Sequence, residues 1–361
     1  YYLPSPLRII KISSRYLPSF IYCLYPFLLR FSMILSTKTL WKAHKKLVLN
    51  TTLLFISLVL STSAFAKETT GIMDKFDAIK IAEHTWGIFG PLTAPNPQNK
   101  GFMNNPVFVI TDKSVVVIDP GSSVYVGRAL LEKIRKKTDK PITHIFNTHV
   151  HGDHWLGNQA FLEAYPDVKI YAHPEMIAEA KDGEGQSWID LMERLTEGAT
   201  TGTEATYPNI ALEENQEVKI NNITIKAHLN ELAHTKTDAM YQIIEDKILI
   251  TGDNAFNNRM PRLDDGSYVG NMLAMDVGLA LDVDVIVPGH GASGGKEVLS
   301  NFRSFLHTIY DTSKTLLDDD MESFEMKPII VKKLEKYQKW INFDGAIGKL
   351  ISVAVIEAEN E

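Results

Sequence analysis

The stretch Thr148-His149-Val150-His151-Gly152-Asp153-His154 places four side chains able to ligate a metal ion within six residues. It directly follows Ile142 to Asn147, a β-branched run that reads as a strand, and histidines massed at a strand end are poor packing material. In an extended loop His149 and His151 point to the same side, while Gly152 lets the chain turn so that Asp153 and His154 face a second point. That spacing suits two ions rather than one. Further along, His234 follows the strand-like Ile223 to Leu229, Asp253 ends the run Ile248 to Thr251, and His290 sits in Pro288-Gly289-His290-Gly291 just after Val283 to Val287. Each stands at or beyond the carboxyl end of an expected strand, where α/β sheets collect functional groups. Together with the first loop they supply five histidines and two aspartates. The sole cysteine, Cys23, lies in the leader, so no thiolate is available to such a site. With nitrogen and oxygen ligands alone zinc leads, and iron and manganese stay open.

The elements that must carry these residues alternate in type. Strands are expected at Val107 to Thr111, Ser114 to Asp119, Ile142 to Asn147, Val168 to Ala172, Ile223 to Leu229, Met240 to Glu245, Ile248 to Thr251 and Val283 to Val287. Helical spacing appears in Tyr125 to Lys137 and again in Lys296 to Leu317. Alternation of this kind predicts an α/β chain with covered sheets. The hairpin from Val109 to Asp119 recurs in kind from Ile243 to Asp253, each ending a buried strand on an aspartate. That similarity suggests two related halves packed face to face, with their strand ends meeting at one edge. Asp182 to Pro208 reads as a helix flanked by long loops, inserted between strands, a pattern shared by lids and by solvated filler.

Composition and charge narrow the partners. Hydrophobic residues make up 45% of the 361 and charged ones 22%, an ordinary globular balance that excludes collagenous, coiled-coil and wholly disordered classes. Residues 1–66 carry eight Lys or Arg and no acid, so the chain's 37 basic and 44 acidic residues leave 29 against 44 from Lys67 onward. An acidic surface argues against nucleic acid as a partner. From Met33, Lys42, Lys45 and Lys46 precede the apolar run Leu47 to Leu60, which ends in Ser61-Thr62-Ser63-Ala64-Phe65-Ala66. This is a secretory signal pattern with an A-x-A cleavage site. The run is shorter than the roughly 20 residues a spanning helix needs. The reading is an upstream segment and signal over residues 1–66, a catalytic domain over 67–295 and a helical C-terminal extension over 296–361 packed on that domain. The mature chain is expected to be secreted, periplasmic in a Gram-negative source, without stable membrane insertion; its oligomeric state is left open.

The seven site residues in this order give the sequence a resemblance to the metallo-β-lactamase superfamily, over roughly Phe76 to Gly291. The resemblance implies an αβ/βα sandwich of two mixed β-sheets between helices. It implies that His149, His151 and His234 hold one zinc, that Asp153, His154 and His290 hold a second, and that Asp253 bridges them, with Asp153 and Asp253 catalytic. An aspartate at Asp253 is similar to the glyoxalase II and lactonase branches, and the absent cysteine excludes the lactamase subclass that uses one. A metal-bridging hydroxide would then attack an ester, lactone, thioester or amide carbonyl of a small molecule. Two alternatives stand beside this hydrolase: a true β-lactamase, and a non-catalytic periplasmic metal-binding or redox-accessory protein.

Further residues are candidates from their positions alone. Asp119, in Ile118-Asp119-Pro120-Gly121, is placed to orient a ligand histidine from behind. Arg259 and Arg262 follow Asp253 closely enough to pair with a substrate carboxylate, and Trp155, next to the ligand loop, is a candidate for the pocket wall, as are Trp86 and Phe89. His173 and His228, on strand-like segments, read as core or surface residues.

Overall fold

The computed structural model describes residues 71–360, so the signal pattern lies outside the described residues. The chain divides into two units, Tyr1–Lys67 and Glu68–Glu361, and the described residues belong to the second. Among the described residues one mixed sheet has the order β1 (Ile79–Lys80), β2 (Thr85–Gly87), β3 (Val107–Ile110), β4 (Val115–Ile118), β5 (Ile142–Phe146), β6 (Lys169–Ala172) and β7 (Ile210–Ala211). A second is built from β8 (Glu217–Ile220), β9 (Ile223–Leu229), β10 (Ala239–Ile243), β11 (Ile248–Phe256) and β12 (Val285–His290), in the spatial order 12-11-10-9-8.

Strand periodicity explains how the layers stack. In β4, Val116 and Ile118 turn inward against Ile225, Tyr241 and Ile250 of the second sheet, while Val115 and Val117 turn outward. Their outer face is covered by α1 (Val124–Arg135) and by Phe161 of α3 (Asn158–Ala164), which follows the single turn α2 (Gly152–Trp155). The second sheet turns Met240, Leu249 and Ile286 outward against α6 (Tyr268–Ala280), α7 (Glu297–Leu317), α8 (Ser323–Lys333) and α9 (Phe343–Glu359). Each fully buried aliphatic side chain contributes about 1.5–3 kcal/mol, so this patterning on both sheets commits the chain to helix, sheet, sheet, helix. The remaining helices, α4 (Pro174–Glu179) and α5 (Gly185–Leu195), close over the loop after β5, where Met176 and Met192 pack on Val150, Trp155 and Leu156.

The recurrent hairpins occupy matching places. β3 pairs antiparallel with β4, which then pairs parallel with β5; β10 pairs antiparallel with β11, which then pairs parallel with β12. One element differs from its expected extent. β11 does not stop before Asp253 but runs on to Phe256, with register shifts against β12 on either side of Gly252. Gly252 has φ +53°, and an added Cβ would lie 2.6 Å from Thr148 Oγ1. This left-handed glycine makes a bulge, and bulges re-aim the side chains beside them. The insertion also differs: α4 and α5 are joined through a short kink at Asp182 and Gly183, where Gly183 takes φ +119°, so the long irregular stretch lies only after Leu195.

Candidate metal centre

The sheet edges bring all seven expected ligands together. His149, His151, His234 and Asp253 form one group and Asp153, His154 and His290 another, with the ligand atoms of each group within 4.8 Å of one another. All seven are buried, none more than 5% exposed. The loop after β5 supplies His149 and His151, and the turn α2 supplies Asp153 and His154. The bulge in β11 aims Asp253 between the groups: Oδ1 lies 3.2 Å from His154 Nε2, while Oδ2 lies 3.4 Å from His290 Nε2 and 3.6 Å from His234 Nε2.

Outer contacts fix which nitrogen four of the five rings turn inward; His234 Nδ1 is buried without a hydrogen-bond partner among the described residues. His154 Nδ1 lies 2.8 Å from Asp119 Oδ2, which also accepts from Thr148 Oγ1 at 2.7 Å. With its hydrogen committed to Asp119, the Thr148 hydroxyl accepts from His149 Nδ1 at 3.0 Å. His151 Nε2 meets Asp265 Oδ2 at 3.2 Å and His290 Nδ1 meets the Met103 carbonyl at 2.8 Å. In a neutral ring with these partners the outer nitrogen carries the hydrogen, which leaves the inner one to present a lone pair to a cation.

The inner atoms suit divalent cations. His149 Nε2, His154 Nε2 and Asp253 Oδ1 are buried with no hydrogen-bond partner among the described residues, an expensive condition unless an ion completes them. A tetrahedral ion held at ~2.0–2.1 Å separates its ligand atoms by roughly 3.3 Å. His151 Nδ1 and His234 Nε2 are 3.0 Å apart, and His290 Nε2 and Asp153 Oδ2 are 3.2 Å apart.

Charge points the same way. Burial holds His149 well below the usual histidine range and His234 at about 3. Burial also opposes charge on His154, but Asp153, Asp253 and Asp119 together outweigh it and raise that ring well above the usual range. Burial would raise Asp153 and Asp253; contact with His154 and His290 holds both carboxyls well below the usual range. Two buried carboxylates thus demand positive charge from the rings beside them, as protons or as a metal.

A cavity of 590 Å³ opens on the centre, reaching His151, Asp153, His234, Asp253 and His290. Its walls are largely apolar: Leu92 to Pro95 on one side, Trp188, Leu191 and Leu195 of α5 on another, and Met260 and Ile341 beyond. A second cavity of 520 Å³, lined by Glu179, Glu184 and Lys236 among others, adjoins it across Trp188, whose ring lies 4.9 Å from that of His151.

Some expected residues take other places. Trp155 is fully buried beneath α4 and α5 and donates from Nε1 to the Val150 carbonyl at 2.8 Å, so it is core and not pocket wall. Trp188 has that part instead. Arg259 and Arg262 both reach the cavity. Trp86 stacks on Phe108 and Phe89 lines a separate small cavity, so neither touches the centre. His173 caps α4 and His228 contacts Gln242. Sequence reasoning passed over Asp265, Met103, Trp188 and also Asn105, whose Nδ2 donates to the Pro288 and Gly291 carbonyls at 2.8 and 2.7 Å and pins the His290 loop.

The family model described as Metallo-beta-lactamase superfamily matches residues 99–290, more than half of the chain, and the chain belongs to that superfamily. It is 36% identical over 91 residues to a hydroxyacylglutathione hydrolase of Gloeobacter violaceus, a match over 22% of this chain and 34% of that protein. The match therefore spans about a third of that relative's length. It is 26% identical over 216 residues to a probable metallo-hydrolase of Methanocaldococcus jannaschii, covering 57% of this chain and 96% of that one. Among solved structures, a metallo-β-lactamase from Pontibacter korlensis superposes with a TM-score of 0.52 at 18% identity, covering 64% of this chain and 99% of that one, a likeness of fold.

Proposed function

We propose that this protein is an exported hydrolase that takes two divalent cations, zinc foremost, and cleaves an ester, lactone, thioester or amide carbonyl of a small molecule. The observation that carries the reading is the Asp253 carboxylate, with one oxygen against His154 and the other against His234 and His290. A single ion needs no such link between two nitrogen sets. Bound cations would supply Lewis acidity and lower the pKa of a coordinated water toward neutrality.

The chain's own residues do the rest. Five histidines bind without adding charge, and Asp153 and Asp253 offset the cations. Asp153 and Asp253 both reach the cavity, and in this reading Asp153 takes the proton of the attacking water and returns it to the leaving group. As the carbon–oxygen bond to water forms, the bond to the leaving group breaks, and that group departs protonated. Apolar walls keep bulk water from competing with the substrate. The name of the Gloeobacter relative supports a thioester within this class. Export is supported by Lys42, Lys45 and Lys46 ahead of an apolar run ending at Ala64-Phe65-Ala66. No helix among the described residues is long and apolar enough to cross a membrane.

A panel of esters, thioesters, lactones and lactams tests the reading on purified protein carrying about two cations per chain. Chelation is expected to abolish turnover and zinc to restore it; full turnover in the chelated protein would contradict it. If lactams alone are cleaved, the chain is a β-lactamase in the narrow sense.

A further inference from the structure

Thr235, Thr237 and Asp238 follow His234 on the loop into β10, and all three are shut off from solvent. Their side chains form one chain of hydrogen bonds that reaches the neighbouring ligand loop. The Val150 amide, between His149 and His151, donates to Thr237 Oγ1 at 3.0 Å. Thr237 Oγ1 and Thr235 Oγ1 lie 2.8 Å apart, and the Thr237 amide also donates to Thr235 Oγ1 at 3.1 Å. Asp238 closes the chain: Oδ1 accepts from Thr235 Oγ1 at 3.0 Å and Oδ2 from the Thr235 amide at 2.7 Å.

The hydrogens run in one direction. A hydroxyl has a single hydrogen to pass on, and a carboxylate only accepts. Thr235 gives its hydrogen to Asp238 and so takes that of Thr237, which, its own hydrogen spent, is left to accept from Val150. Three amide and two hydroxyl hydrogens are all placed in this way. Run backwards, the chain would leave the Thr237 hydroxyl hydrogen without an acceptor among these groups. Bonds in such a buried chain polarise one another toward the charged end.

The loop is held at two other points, which separates what each carboxylate controls. The Ala239 amide donates to the Thr148 carbonyl at 2.8 Å, so backbone alone keeps the two loops side by side. Asp119 grips the loop at the Thr148 amide and at His154, a ligand of the second group. Asp238 reaches it only at Val150, whose two neighbours both belong to the group of His149, His151 and His234.

We infer that Asp238 is a positioning residue for that group alone, and that it acts through the Thr235 and Thr237 hydroxyls to hold the His149 to His151 segment in register with His234. This rests on the two-cation reading above and assigns the residues that set one of its two sites. Asp238 touches neither a cation nor the substrate. Its effect is carried by the backbone between two ligands.

Thr237→Val keeps the side chain's shape without the hydroxyl, and Asp238→Asn keeps its shape but turns an acceptor into a donor. Zinc titration by calorimetry, with cobalt(II) absorption reporting the ligand geometry, reads the two sites separately. Each variant is expected to weaken one cation about 10- to 100-fold, leave the other unchanged and alter the cobalt spectrum of the weakened site. Thr237→Ser restores the hydroxyl and should recover both affinity and spectrum. No loss in either variant, an equal loss at both cations, or Thr237→Ser no better than Thr237→Val overturns the inference. Amide exchange at Val150 in the cation-free protein reads the same chain without metal, and should quicken about 10-fold in Thr237→Val and in Asp238→Asn. Asp238 lies two hydroxyls from that amide, so quickening in Asp238→Asn upholds the chain even if the wild-type protein takes up no cation, an outcome that would sink the hydrolase reading alone. Unchanged exchange in Asp238→Asn overturns the inference, and two cations bound by the same wild-type preparation leave the hydrolase reading standing.

Discussion

Asp119 Oδ2 and His154 Nδ1 stand 2.8 Å apart, both shut off from solvent, and this contact decides which face of the histidine the centre receives. Asp119 directly follows β4, at φ +51°, a left-handed conformation that aspartate tolerates better than most residues. From there its two oxygens take the Thr148 amide and hydroxyl as well, so one carboxylate at the end of one strand orders the loop after the next.

Replacing Asp119 with Asn keeps the backbone conformation accessible but removes the charge and one of the acceptors. Cation affinity should fall about 10- to 100-fold, the usual consequence of losing the group that orients a ligand histidine. Competition with a chromophoric chelator measures it. An unchanged affinity would show that His154 needs no such partner.

The two ligand groups should respond differently to acid. His149 and His234 are held neutral, His234 down to about 3, so a cation among them displaces no proton from either ring at pH 5. Among the second group, Asp153, Asp253 and Asp119 raise His154 against the effect of burial, and Asp253 foremost raises His290. A cation there must expel those protons, which weakens its binding about tenfold per pH unit for each proton displaced. Cation content after dialysis from pH 7 to pH 5 should therefore drop from two toward one. Simultaneous loss of both would contradict this assignment of charge.

The ligand loop was legible because its residue types and spacing had no other use at a strand end, and because each remaining ligand stood beyond a run of β-branched residues. What escaped had a sufficient local explanation. Trp188 sits in a stretch whose helical period accounts for it, and Asp265 in Asp264-Asp265-Gly266-Ser267, which reads as a turn leading to the Ser267 cap of α6. Their meeting with His151 is set by tertiary packing between distant segments, which no local pattern encodes. Trp155 misled for a related reason. Neighbouring residues on a helical turn point about 100° apart, so a residue adjacent to His154 in sequence faces the core and not the centre. The bulge at Gly252 left only a glycine before an aspartate, a pair that also marks a plain strand end.

Gly289 lies against the Asp253 carboxylate so closely that an added Cβ would stand 2.0 Å from Oδ1. Neither the strand nor the carboxylate can yield without moving a ligand. Gly289→Ala should lower stability by about 1–3 kcal/mol, the range for overpacking, and should displace Asp253 enough to reduce cation content below two per chain. Denaturant unfolding and metal analysis on the same preparation check both. Wild-type values in both would mean that the approach is relieved elsewhere.

The placement of Asp253 between two nitrogen sets is the central claim, and cation stoichiometry in two variants tests it most directly. Asp253→Ala removes a carboxylate that faces both groups, whereas His290→Ala removes a neutral ring from one. Metal analysis after dialysis should find Asp253→Ala without tight binding of either ion and His290→Ala with about one retained, with circular dichroism showing both variants folded. Two ions held at wild-type affinity by Asp253→Ala would contradict the account.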